Sequence, residues 1–200
     1  MTRQRKTRIA VFVSGGGTNL QALMDAQTAG RIPDGEIALV LSNKKDAGAL
    51  DRARRQGIPA RYLRRKDFPE KLEPMMREYE IDMIVLAGFL CILPEEFTRR
   101  YPRRMINIHP SLIPAFCGEG MYGLHVHEAA LARGVKVTGA TVHFVNEVCD
   151  GGEILLQRAV DVLPGDTPEG LQLRVMQQAE WKILPMAAEM VAKEIRNERV

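Results

Sequence analysis

The chain has 200 residues, 46% hydrophobic and 26% charged, with a formal net charge of +3. That length can bury a sizeable core in one domain, and the composition is that of a soluble globule rather than a disordered or fibrous chain. No apolar run approaches the ~20 residues of a bilayer-spanning helix, and the mild positive charge is not gathered into the stripe a nucleic-acid binder would show.

The N-terminal segment Thr2 to Arg8 is basic, like the start of a secretory signal. The apolar run behind it, Ile9 to Val13, ends at Ser14 and three glycines and is too short for a signal core. The three cysteines, Cys91, Cys117 and Cys149, suit a reducing cytoplasm better than a disulfide framework. Ile9 to Val13 is continuously apolar, the pattern of a parallel-sheet strand buried on both faces. It runs into Ser14-Gly-Gly-Gly17, after which Thr18 is read as an N-cap with Gln21 closing a capping box, and Leu20, Leu23 and Met24 give a helical stripe. Strand, glycine loop and helix together make a phosphate-binding arrangement, because free backbone N–H groups and the helix dipole converge there. A tight turn without a ligand is the plainer alternative. A dinucleotide fingerprint would want another glycine near Leu20 and an acid ending the second strand, Ile37 to Leu41, which instead leads into Ser42-Asn-Lys-Lys45. No Gly-Lys-Ser/Thr ending is present either, so a phosphate monoester fits better than NAD or ATP.

Helical spacing continues from Gly48 to Gln56, and a short third strand is expected near Tyr62. The basic run Arg64-Arg-Lys66 reads as a solvated loop before an anion site. Phe68 to Tyr79 is helical in pattern, and Asp82 to Ala87 is a buried strand ending in the apolar loop Gly88 to Pro94. That loop either cradles an apolar ligand at the sheet edge or packs on a helix starting near Pro94. Met105 to Ile108 is a strand that Pro110 must end. Period two puts Asn107 and His109 on one face, an amide donor beside an imidazole, which suits stabilising an oxyanion and moving a proton. Satisfying loop backbone is the bland alternative. The long loop Pro110 to Gly123, with Phe116 to Tyr122 at its centre, reads as a lid. A helix over Val126 to Arg133 follows, then strands Val135 to Val145 and Glu153 to Asp161, whose short link Asn146 to Gly152 predicts an antiparallel pair. Pro164 to Pro168 opens a long terminal helix carrying Leu184, Ala187, Ala188, Val191 and Ile195 on one face.

These elements predict an α/β fold: a single doubly wound, mostly parallel sheet with a C-terminal antiparallel hairpin and a long terminal helix. One domain over residues 1–200 is expected, with a phosphate-binding half over about 8–100 and a catalytic half over about 101–200. The rule that sites form at the carboxyl ends of strands places Gly15 to Asn19, Leu90 to Leu93 and Asn107 to His109 in one cleft. Asp150, in Cys149-Asp-Gly-Gly152, is the remaining acid to place there; near His109 it would favour the imidazolium, and the two glycines allow a sharp backbone path. Alone, Asp-Gly-Gly reads as an ordinary turn.

Taken together, Ser14-Gly-Gly-Gly-Thr-Asn-Leu-Gln21, Leu86-Ala-Gly-Phe89, Asn107-Ile-His-Pro-Ser-Leu-Ile-Pro114, Thr141-Val-His-Phe-Val145 and Cys149-Asp-Gly-Gly152 closely resemble the glycinamide ribonucleotide transformylases of purine synthesis. The resemblance covers nearly the whole chain; the Asn-x-His-Pro-Ser segment is shared by folate-dependent formyltransferases generally, and the Gly-Thr-Asn-Leu-Gln loop points to the ribonucleotide enzymes. It implies the formyltransferase fold and transfer of a formyl group from 10-formyltetrahydrofolate to the amine of glycinamide ribonucleotide, without a metal. It implies His109 as general acid, Asn107 as oxyanion donor and Asp150 as the group tuning the histidine. Gly17, Thr18 and Asn19 would hold the phosphate and Glu180 would contact the ribonucleotide. The folate would lie along Leu90, Cys91, Ile92 and Leu93, with Asn107 and the segment from Asn146 to Asp150 around its pterin. Two features depart from the family pattern, Cys91 where many relatives carry a basic residue and a longer loop from Cys117 to Tyr122.

Other readings compete. A metal hydrolase would use His109, His125, His127 and Asp150, but two histidines two apart at a helix start point to different faces. A cysteine acyltransferase would use Cys149 with His109, against which a buried, inert thiol is expected. A non-catalytic binding module and another formyltetrahydrofolate-using enzyme, a hydrolase or a transferase with a different amine acceptor, complete the set; transfer RNA formylation and folate hydrolysis normally come with an additional domain, and none fits here. His143 is left without an assigned role: a satisfied strand histidine is expected, with a group supporting the site from behind as the alternative. Neither nucleic acid nor membrane is expected as a partner, and the chain is expected to be cytoplasmic, as a monomer or homodimer.

Overall fold

Strands β1 (Thr7–Val13), β2 (Gly35–Ser42), β3 (Ala60–Tyr62), β4 (Met83–Leu86), β5 (Met105–His109), β6 (Val137–Phe144) and β7 (Ile154–Asp161) form one seven-stranded sheet in the order β3-β2-β1-β4-β5-β6-β7. The computed structural model describes residues 5–199, so Thr2 to Gln4 of the basic segment lie outside the described residues. Residues 9, 11 and 13 of β1 belong to one buried apolar cluster and residues 10 and 12 to the other, as a strand buried on both faces requires. Helices α1 (Thr18–Thr28), α2 (Gly48–Arg55), α6 (Pro168–Val175) and α7 (Trp181–Asn197) contribute Leu20, Leu23, Leu50, Leu171, Leu184 and Val191 to the first cluster. The second holds Phe68, Leu72 and Met76 of α3 (Phe68–Glu78) and Phe97 of the short α4 (Glu95–Thr98), with Phe12 stacked on Phe97 at 6.5 Å.

β1 to β5 pair in parallel, whereas β6 is antiparallel to both β5 and β7. The hairpin of β6 and β7 is legible in the chain, but the reversal one strand earlier is not. The connection from β5 to β6 contains helix α5 (Leu124–Arg133) and has the length of a parallel crossover. Thr18 is also not a cap: it is the first residue of α1, Gly17 occupies the cap position at φ +78°, and no side chain caps that end. The terminal helix is really α6 and α7 joined by a π turn over Met176–Glu180. Thr167 caps its start, accepting from the Gly170 N–H at 3.1 Å. Among the described residues no helix is long and apolar enough to cross a membrane.

Candidate active site

In the strand order, direction reverses at β1 and β4, and the crevice outside their carboxyl ends is where such sheets bind ligands. Ser14, at the end of β1, stitches this region together. Its N–H donates to the Gly88 carbonyl at 3.0 Å, its hydroxyl donates to Asn43 Oδ1 at 2.6 Å, and its oxygen accepts from the Leu90 N–H at 2.8 Å. Asn43 Nδ2 in turn donates to Cys91 Sγ at 2.9 Å. The Cys91 thiol is pushed up by burial, against the charges of Arg65 and Lys44 and the Asn43 hydrogen bond.

The second half of the site is made by cross-strand register. Asn107 of β5 stands opposite His143 of β6, and His109 opposite Thr141. His143 Nδ1 faces the Phe144 carbonyl at 2.8 Å, so its Nε2 can accept from Asn107 Nδ2 at 3.1 Å. Asp150 closes the group, with Oδ1 3.4 Å from Asn107 Nδ2 and 3.5 Å from His143 Nε2, and Oδ2 3.5 Å from His109 Nδ1. Burial alone would raise the Asp150 carboxyl. The neighbouring His143, the hydrogen bond from the Gly118 N–H (2.9 Å) and the positive charge that His109 and His143 carry when protonated outweigh it, so the carboxyl lies below its ordinary value. Asp150 takes a left-handed backbone, φ +52°, and the chain then passes so close to β6 that a Cβ on Gly152 would overlap the Phe144 carbonyl oxygen. His143 is thus the satisfied strand histidine expected, and it is also a member of the cluster.

The loop after β5 lies over this cluster. His109 Nε2 faces the Phe116 carbonyl at 2.8 Å. Thr141 pins the loop's start, donating to the Ser111 carbonyl at 2.7 Å and accepting from the Ile113 N–H at 3.1 Å. His109 and His143 are both buried; Asn107, His143 and Asp150 line an open cavity of about 440 Å³, which His109 does not line. Phe89, Cys91, Ile92, Leu93, Val145 and Val148 give this cavity apolar walls, and Asn146 also lines it. Leu90 is half exposed and does not line it.

Nor does the glycine loop open into that cavity. Thr18 lines a separate pocket of about 410 Å³ with Gln21, Arg31, Arg52 and Trp181. Asn19 is buried, and its side chain donates to Glu180 Oε2 at 2.5 Å. Glu180, in the π turn, is itself buried; burial raises its carboxyl to about 7 against the opposing Asn19 bond. The structure therefore gathers Asn107, His109, His143 and Asp150 in one group, Cys91, Ile92, Leu93 and Asn146 in the cavity beside it, and Gly17, Thr18, Asn19 and Glu180 in another.

The competing constellations do not assemble. His125 is exposed beside Glu128, while His127 is fully buried and held neutral, down to about 4, by burial and by His109. Cys149 is exposed rather than buried, although its sulfur is sheltered enough that burial, with the Asp150 charge, raises the thiol. Arg64 is tied to Asp67 at 2.8 Å, an exposed pair. Sequence reasoning leaves Ser14 and Gly118 without roles. Ser14 carries a signal as the polar residue ending a buried strand; the Gly118 N–H carries none, because a backbone donor leaves no mark in composition.

Residues 7–188 match the formyl transferase family. A chloroplastic phosphoribosylglycinamide formyltransferase of Arabidopsis thaliana is 41% identical over 181 residues, 87% of this chain and 62% of the relative. That of Haemophilus influenzae is 42% identical over 90% of this chain and 84% of its own. The chain thus spans less than two thirds of the plant relative's length. Among solved structures, glycinamide ribonucleotide transformylase 1 from Symbiobacterium toebii superposes with a TM-score of 0.86 at 41% identity, covering 94% of this chain and 89% of that one.

Proposed function

The chain belongs to the formyl transferase family, and from that premise we propose that it moves the formyl group of 10-formyltetrahydrofolate to the amine of glycinamide ribonucleotide. The products are formylglycinamide ribonucleotide and tetrahydrofolate, a step of de novo purine synthesis. The observation that carries the reading is the group of Asn107, His109, His143 and Asp150 at the edge of an apolar-walled cavity. Relatives at 41–42% identity bear the ribonucleotide enzyme's name, which favours this acceptor over hydrolysis or another amine.

Amine attack on a formyl carbon develops negative charge on the formyl oxygen, so the site must supply a donor there and a route for a proton. Asn107 Nδ2 spends one hydrogen on His143 at 3.1 Å and only a long 3.4 Å contact on Asp150. The second hydrogen is the one a substrate oxygen takes over. His109 supplies the proton as general acid, with Nδ1 steadied by Asp150 and Nε2 released when the Phe116 carbonyl withdraws. Asp150, with its carboxyl below the ordinary value, stays ionised through neutral pH and orients the histidine.

In this reading the folate lies along Leu90 to Leu93 and the segment from Asn146 to Asp150. Ile92 and Val148, 72% and 60% exposed, are apolar surface that a flat aromatic ring would cover. The phosphate sits on the backbone N–H groups of Gly17, Thr18 and Asn19, since the Asn19 side chain is committed to Glu180. Glu180 receives the ribonucleotide's hydroxyl-bearing part. The reading takes residues 1–200 as one formyltransferase domain, cytoplasmic, acting as monomer or homodimer.

The test is formyl transfer by the purified chain with both substrates and EDTA present, beside His109→Ala. Product from the wild type and a loss of about a hundredfold or more in the variant are expected. Binding of both substrates with no product would refute the catalytic reading. Consumption of the folate without the ribonucleotide would refute the acceptor.

A further inference from the structure

The three glycines of the loop have their carbonyls turned away from the crevice, each by a separate donor. The Gly15 carbonyl accepts from the Ala49 N–H at 3.2 Å and the Gly17 carbonyl from the Gln21 N–H at 2.9 Å. The Gly16 carbonyl accepts from a side chain, Arg52 Nε at 2.7 Å, and the same guanidinium donates through Nη1 to Gln21 Oε1 at 3.2 Å. Arg52 thus bridges the loop to the first turn of α1 from its seat on α2.

This matters because a glycine peptide can flip at little cost, and a flip at Gly16 exchanges an inward N–H for an inward carbonyl. An inward carbonyl would repel an anion where the loop must attract one. Among the described residues, the N–H groups of Gly15 to Gly17 donate to no backbone carbonyl, and those of Thr18 to Leu20 have none to reach one turn back. Packing around Gly16 is loose: nothing stands within 4 Å of where its Cβ would be, and the start of α2 approaches it only at Gly48, where a Cβ would stand 3.7 Å from the Gly16 Cα. Gly17, by contrast, is wedged against α2: a methyl group placed on it would stand 2.7 Å from the Ala49 Cβ. Among the described residues, the donor that holds the Gly16 carbonyl is Arg52 Nε.

We propose that Arg52 is a positioning residue for the substrate's phosphate: it holds the Gly16 carbonyl outward so that the loop presents only N–H groups to the anion. This rests on the phosphate assignment made above and deepens it. Arg52 acts through the loop, so its loss should weaken recognition of the phosphate and spare the formyl-transfer step.

The experiment compares glycinamide ribonucleotide with its dephosphorylated riboside as acceptors for the wild type, Arg52→Ala and Arg52→Lys. In Arg52→Ala the KM for the ribonucleotide should rise about ten- to hundredfold, the size of one charge-assisted hydrogen bond, with kcat within about threefold. The preference in kcat/KM for ribonucleotide over riboside should shrink by the same factor, and Arg52→Lys, which keeps one donor, should recover part of it. A variant that only loosens the fold would lower both acceptors alike and leave the preference intact, which would overturn the inference. So would an unchanged ribonucleotide KM. A wild type that uses the riboside as well as the ribonucleotide would instead overturn the phosphate assignment, and the role of Arg52 with it.

Discussion

Replacing Glu180 by glutamine tests the buried acid of the π turn. The carboxyl is buried, and burial raises it from an ordinary 4.5 to about 7, with only the Asn19 hydrogen bond opposing. A group that holds its proton more tightly in the folded state stabilises the fold below its unfolded pKa, and that stability is lost as pH rises through the folded value. For Glu180 the window runs from 4.5 to about 7, and at about 1.4 kcal/mol per pH unit the full span is about 3 kcal/mol. Glutamine keeps an acceptor for Asn19 Nδ2 and never ionises. The stability of Glu180→Gln relative to wild type should therefore rise by about 2–3 kcal/mol between pH 5 and pH 8. Urea unfolding of both proteins without substrates, at each pH, would show this as a relative midpoint shift of about 1 M. Other titrating groups are common to the two chains and cancel in the difference. A gap that stays constant within about 0.5 kcal/mol across this range would mean that Glu180 is not held protonated by burial, and the reasoning would fail.

Gly17→Ala should lower stability by about 2 kcal/mol and the thermal midpoint by roughly 4–8 °C, because φ is +78° and the new methyl would meet the Ala49 Cβ at 2.7 Å. Calorimetry checks it, and an unchanged midpoint would show that the loop yields freely. Cys149→Ala should keep formyl transfer within about threefold of wild type, since burial and the Asp150 charge hold the thiol protonated. Abolished turnover in that variant would restore the thiol-nucleophile reading.

Much of the fold is legible because it is written in local pattern. Continuous apolar runs at β1, β2 and β4, short, rich in β-branched residues and followed by loops, read as strands buried on both faces, and the strand, glycine loop and helix around Gly15 to Gly17 follow from backbone chemistry. Asn107 and His109 are visible as polar residues on alternate positions where Pro110 ends a strand. Thr18 departs from the capping pattern because Gly17, in the left-handed region, fills the cap position equally well.

By itself, then, the sequence determined the alternation of strands and helices, the glycine loop and the polar pair on β5, all of them consequences of residues within a few positions of one another. Only the tertiary structure decided that β6 runs antiparallel to β5, which sets His143 against Asn107, and that Asp150 and the Gly118 N–H meet. It also decided that Asn19 and Glu180, 161 residues apart, share a buried hydrogen bond, and that Arg52 reaches back to Gly16. The reason is physical: hydrophobic periodicity and turn chemistry act over a few residues, whereas strand register, the pairing of buried polar groups and their burial depend on which distant segments the packed core brings into contact.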